Sequence, residues 1–145
     1  MMLSVKRLPA YLASPYSAIG DFTPELKAEI REARYRQALK AAHWMMGLRL
    51  WVYSPIVHCH EIAKLNSLPT DAKFWQSYNE DMIDSFQSVV VLCEEGWTVS
   101  VGVQMEIEYA QKFYCDLMYL VPKRFISDEL KHDYQLLDHA PLNVV

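Results

Sequence analysis

Short, nearly continuous apolar runs alternate with longer amphipathic stretches along this chain. Leu8-Pro9-Ala10-Tyr11-Leu12-Ala13, Leu48-Arg49-Leu50-Trp51-Val52-Tyr53, Val89-Val90-Val91-Leu92-Cys93 and Leu117-Met118-Tyr119-Leu120-Val121 have the length and the side chains of strands covered on both faces. Between them lie helical patterns. Thr23-Pro24 predicts a helix start, a capping hydroxyl before a proline in the first turn, and Gly47 its stop. Ile30, Ala33, Gln37, Ala38, Ala41 and Met45 form the inner stripe of that helix, and Arg34 falls on the same stripe. A second helix starts at Leu68-Pro69-Thr70-Asp71 and runs through Phe74, Trp75, Tyr78, Met82, Ile83 and Phe86. A third is capped by Ser100 and buries Val103, Ile107, Ala110 and Tyr114. Lys123 to Val145 reads as a polar tail, helical over 127–137, with Leu142-Asn143-Val144-Val145 either an added strand or an interface arm.

Strand, long helix, strand implies a parallel pair with a right-handed crossover. The expectation is an α/β, flavodoxin-like three-layer sandwich with a four- or five-stranded parallel sheet. It forms one domain over residues 1–145, whose tail, 122–145, is placed to reach a neighbouring subunit. Composition fits a globular chain: 52% of the 145 residues are hydrophobic and 22% charged, too apolar for disorder. A net charge of −4 and the lack of any Lys/Arg run argue against a DNA or RNA partner. No apolar stretch approaches the ~18 residues of a spanning helix, and no signal-peptide pattern opens the chain, so no membrane is expected. Cys59, Cys93 and Cys115 have neither an even count nor ligand spacing, which suits a reducing cytoplasm.

Chemistry-bearing residues collect where the apolar runs end, which is where open α/β sheets keep their ligands. Ser14-Pro15-Tyr16-Ser17 closes the first run, Ser54-Pro55 the second, and Glu95-Gly96-Trp97 leads from the third to Ser100. Glu106 lies about 100° from Ile107 on a regular helix, at the rim of the core stripe. It is either a boundary residue in a surface ion pair or a carboxylate aimed at a site. The nearby helix N-terminus favours its ionised form. Arg34 is a snorkelling or ion-paired side chain, or a partner for an anion near the first loop. Asp81 and Asp84 share a helix face, ordinarily a solvated one. His58-Cys59-His60-Glu61 hints at zinc, but no second cluster completes a tetrahedral set, so no metal is expected and the histidines read as structural or as part of a substrate lid. Tyr11, Tyr16 and Trp97 are core packing or the wall of a base site.

Taken together, Tyr11-Leu12-Ala13-Ser14-Pro15-Tyr16-Ser17, Arg34, Tyr53-Ser54-Pro55-Ile56 and Gly96-Trp97…Ser100-x-Gly102-Val103-x-x-Glu106-Ile107-x-x-Ala110 match one pattern. The chain resembles the nucleoside 2-deoxyribosyltransferase superfamily, in a branch carrying the Gly-Trp-x-x-Ser-x-Gly signature. The resemblance covers roughly residues 8–121. It implies cleavage or transfer at the N-glycosidic bond of a nucleoside or its 5'-monophosphate, with Glu106 as nucleophile and no cofactor. It also implies self-association, for which the aromatic stripe over residues 74–86 is the candidate interface. In the similar 2'-deoxynucleoside 5'-monophosphate N-hydrolases, a serine at the position of Ser100 contacts the phosphate. A hydroxyl at a helix N-terminus suits an anion, with Ser14 and Ser17 beside it and Gly102 in the first turn. One position departs from the pattern. Where the superfamily usually has an acidic proton donor this chain has Asn79, whose amide cannot fill that role. Asp81 and Asp84 are the candidates to replace it. The alternative is a nucleotide-binding or sensing module without turnover.

Overall fold

The computed structural model describes residues 8–18, 20–65, 68–69, 72–125 and 133–142. Strands β1 (Ala10–Ala13), β2 (Val52–Tyr53), β3 (Ser88–Leu92), β4 (Asp116–Pro122) and β5 (Tyr134–Leu137) form one sheet in the order β2-β1-β3-β4-β5. The first four are parallel, in the register Tyr11↔Tyr53, Leu12↔Val90 and Val90↔Met118. The flavodoxin-like α/β class expected from the alternation is what the chain adopts. Helices α1 (Pro24–Gly47), α2 (Pro55–Leu65), α3 (Ala72–Phe86) and α4 (Val101–Lys112) supply the outer layers.

Strand alternation sorts the core into two faces. Ala10, Leu12, Val90, Leu92, Met118 and Leu120 meet Ala41 and Met45 of α1. Tyr11, Ala13, Val89, Val91, Tyr119 and Val121 meet Ile83 of α3 and Val103, Ile107 and Ala110 of α4. The chain leaves β1 for β2 on one side and returns to β3 on the other, so the sheet switches direction between β1 and β3. The carboxyl ends of those two strands open a crevice there.

Several expectations change. The sheet is not all parallel: β5 runs antiparallel to β4, Tyr119↔Leu137 through Pro122↔Tyr134. Its residues fall within the helix expected over 127–137, of which 126–132 lie outside the described residues. Edge pairing explains the outcome, because β4 would otherwise present a bare row of N–H and C=O groups. Tyr134 is buried against Trp44 of α1, with ring centroids 5.3 Å apart. Tyr114 is not core; it is 95% exposed because α4 ends at Lys112 and Tyr114 turns left-handed at φ 57°. Ala33 is exposed too, and α1 buries Ala38, Ala41 and Met45. On α3 only Ile83 is fully buried; Phe74 is exposed and Asp71 lies outside the described residues, as do residues 143–145 of the terminal arm.

The end of α1 also differs in detail. Gly47 is the last helical residue, but the left-handed position is Arg49, at φ 61°, and Leu50 donates back to Met45 O at 2.9 Å. This turn consumes Leu48 and Arg49, so β2 is shorter than the expected 48–53. A left-handed conformation costs a side chain about 1 kcal/mol that glycine does not incur. Arg49→Gly is therefore expected to raise stability by roughly 1 kcal/mol, read as a higher urea midpoint at unchanged slope. A lower midpoint would show that the arginine makes a compensating contact.

Candidate functional site

The crevice at the β1/β3 switch is a cleft of about 350 Å³, the low end of the range for small-molecule sites. Ser14, Tyr16 and Ser17 come to it from the β1 loop; Ile56, Cys59, His60 and Ala63 from α2; Lys73, Trp75 and Asn79 from α3; Ser100, Gly102 and Glu106 from the start of α4. Ser100 caps α4, its Oγ accepting from Val103 N at 3.3 Å, and is itself buried at the cleft wall. Capping and lining are thus done by one residue.

Glu106 is 9% exposed and reaches the cleft from beneath the α4 N-terminus. Its Oε2 is buried without a hydrogen-bond partner, as are the hydroxyls of Tyr11 and Ser14. The Tyr11 hydroxyl acts on Glu106 and opposes the rise in its pKa, although the two do not meet full hydrogen-bond geometry. Glu106 is not held in the ionised form that was expected of it. Burial pushes the carboxyl up to about 8, because Glu106 sits beyond the first turn, where desolvation outweighs the helix dipole. Buried polar atoms without partners cost free energy. Here two of them, Ser14 Oγ and Glu106 Oε2, belong to residues lining one cleft, with Tyr11 Oη behind Glu106.

The other expected residues divide between cleft and scaffold. Asn79 lines the cleft with Glu106, and the two share a second, smaller hollow with Gln76, Glu80 and Met105. Asp81 and Asp84 are exposed on α3 and do not line the cleft; Asp84 accepts from Tyr109 Oη at 2.8 Å. Helical phase separates them from Asn79. Arg34 sits behind the wall, its Nη1 donating to Ser17 O at 2.5 Å, and burial lowers its pKa against the opposing charge of Glu95. It also lies against Gly96, where an added Cβ would be 3.2 Å from Nη2. Trp97 is a core residue, 6% exposed and packed against Tyr119, rather than a base platform.

Sequence reasoning left the role of His60 open. It is 3% exposed, stacked on Tyr35 at 4.3 Å, with Nδ1 2.7 Å from Tyr16 Oη and Nε2 3.0 Å from Glu32 Oε1. Hydrogen bonds from His60 and Lys64 push the Glu32 carboxyl down to about 2. Among the described residues, Glu32, His60 and Glu61 could converge on a metal, but Lys64 Nζ already stands 3.0 Å and 3.3 Å from the two carboxylates. One histidine and two carboxylates held by an ammonium are a poor zinc set. Lys73, a cation on the cleft wall, was not singled out either; an isolated lysine gives no signal in sequence.

A family model described as a domain of unknown function (DUF1937) matches residues 8–118. No curated protein matches the chain.

Proposed function

The chain therefore belongs to that family, whose description carries no activity with it, and we propose from the site itself that the protein cleaves the N-glycosidic bond of a deoxynucleoside 5'-monophosphate, with Glu106 as nucleophile. The observation that supports this most is the buried Glu106 carboxyl, its Oε2 without a hydrogen-bond partner, facing a nucleotide-sized cleft. In its ionised form it attacks the anomeric carbon, and the electron pair of the C–N bond leaves with the base. The resulting glycosyl ester is then released to water or to another base. Ser14, Ser17 and Ser100 offer hydroxyls to the phosphate, and Lys73 puts a cation on the wall of the same cleft. The resemblance to 2-deoxyribosyltransferases points the same way.

Purified protein should release free base from one or more of a panel of deoxynucleosides and their monophosphates, followed by chromatography. Release should disappear in Glu106→Ala, and the wild-type kcat/KM should climb towards pH 8 as the carboxyl ionises. No release from any substrate would sink this reading. A second reading, binding without turnover, is favoured by Asn79 at the cleft where an acid is expected. It would hold if a nucleotide raised the melting temperature with no product formed.

A further inference from the structure

The reaction needs a proton for the departing base, and among the described residues that line the cleft the only carboxyl is Glu106 itself. The geometry points to Tyr16, backed by His60 and Glu32, as the group that delivers this proton, an inference that rests on the glycosidic reading above. Tyr16 lines the cleft, so its hydroxyl belongs to the residues a bound nucleotide would touch. Its Oη is 2.7 Å from His60 Nδ1, and His60 Nε2 is 3.0 Å from Glu32 Oε1. The three form a continuous line from the cleft to the surface, through a histidine clamped between two tyrosine rings, one stacked and one edge-on.

Proton accounting assigns the direction. With both imidazole nitrogens protonated, Nδ1–H donates to Tyr16 and Nε2–H donates to Glu32, which leaves the tyrosine O–H free to donate into the cleft. As the C–N bond breaks, its electron pair goes to the base nitrogen, which takes the Tyr16 proton. The Nδ1 proton moves to Tyr16 oxygen, and His60 remains neutral with Nε2–H on Glu32. When water attacks the glycosyl ester, the bond to Glu106 breaks and its pair returns to the carboxylate. The proton of that water passes to Tyr16 and the Tyr16 proton to Nδ1, which restores the start. Base, sugar and one consumed water balance.

The surroundings of the relay fit this use. Glu32 faces His60, Lys64 and Arg36, Glu61 lies 4.0 Å from Nε2, and the charges of Arg31 and Lys64 act on Tyr16. Glu32 accepts from Nε2–H, and the hydrogen bonds from His60 and Lys64 that hold its carboxyl low keep Glu32 itself from taking the proton. Tyr16 is then a catalytic residue, and His60 and Glu32 are positioning residues that act through it.

Leaving-group chemistry separates this role from a structural one. Wild type, Tyr16→Phe, His60→Gln and Glu106→Ala would be assayed on a purine deoxynucleotide and on 4-nitrophenyl 2-deoxyriboside 5-phosphate, whose phenolate leaves without a proton. Tyr16→Phe should lose roughly a hundredfold or more in kcat on the purine substrate, with KM nearly unchanged, and only a few-fold on the nitrophenyl substrate. His60→Gln, which keeps a hydrogen bond to Tyr16 but cannot pass a proton, should follow it, and Glu106→Ala should lose both activities. Equal losses on the two substrates, or none, in Tyr16→Phe and His60→Gln would overturn the relay while leaving Glu106 as nucleophile. Absence of wild-type turnover on both substrates would overturn the glycosidic reading and the relay with it.

Discussion

Glu106→Gln is expected to stabilise the protein, and by an amount that grows with pH. The folded carboxyl titrates near 8 because it is desolvated, whereas in the unfolded chain it titrates at 4.5. Between those values the folded state holds a proton that the unfolded state has lost, so stability falls as pH rises. The penalty is absent below 4.5, builds through the interval, and is complete above 8. At ~1.4 kcal/mol per pH unit, the advantage of the variant should be on the order of 3 kcal/mol larger at pH 9 than at pH 5.5. Any pH-independent cost of the buried amide drops out of that comparison. Urea unfolding of both proteins at the two pH values measures it, and an equal difference at both would show that the carboxyl is not desolvated. The same penalty has a functional side: a substrate that develops positive charge next to Glu106 recovers it in the transition state.

The second large effect lies on the other side of β3. Glu94, 1% exposed, pairs with Arg124, which follows β4. Glu94 O also accepts from Trp97 N at 3.1 Å, so the pair sits at the root of the loop that leads to Ser100. Arg124→Met leaves a buried carboxylate without its counter-charge, which should cost ~2–3 kcal/mol, reduced from the fully buried case because water reaches the guanidinium. Arg124→Met combined with Glu94→Gln should recover most of the loss. A single variant as stable as the wild type would show that water already screens Glu94.

The parts of this molecule that were legible in sequence are the ones set by neighbours along the chain. Thr23 caps α1 by accepting from Leu26 N at 3.2 Å, Ser100 caps α4, and the position of Glu106 at the rim of the Val103, Ile107, Ala110 stripe puts it in the cleft. Each follows from helical geometry over a single turn or two. Long-range pairings were not legible. Tyr16 meets His60 44 residues away and Glu32 meets it across 28, and no periodicity encodes either. Trp97 stands beside two site loops in sequence, yet its ring turns into the core because Tyr119 offers a face there. The charge state of Glu106 was misjudged for a related reason: distance from the helix end is local, but desolvation depends on what the whole sheet packs around it.

The Arg34 contact has a mechanical consequence for the rim of the cleft. One guanidinium holds the carbonyl of Ser17 while lying against Gly96, where an added Cβ would crowd Nη2 at 3.2 Å. The loops after β1 and β3 thus meet at one guanidinium carried by α1. Across the cleft, α2 and α3 supply Ile56, Ala63, Lys73 and Trp75, and Tyr16 Oη stands 2.7 Å from His60 Nδ1 between the two sides. A shift of α1 therefore reaches both loops through Arg34, and a shift of α2 reaches the β1 loop through the Tyr16–His60 hydrogen bond.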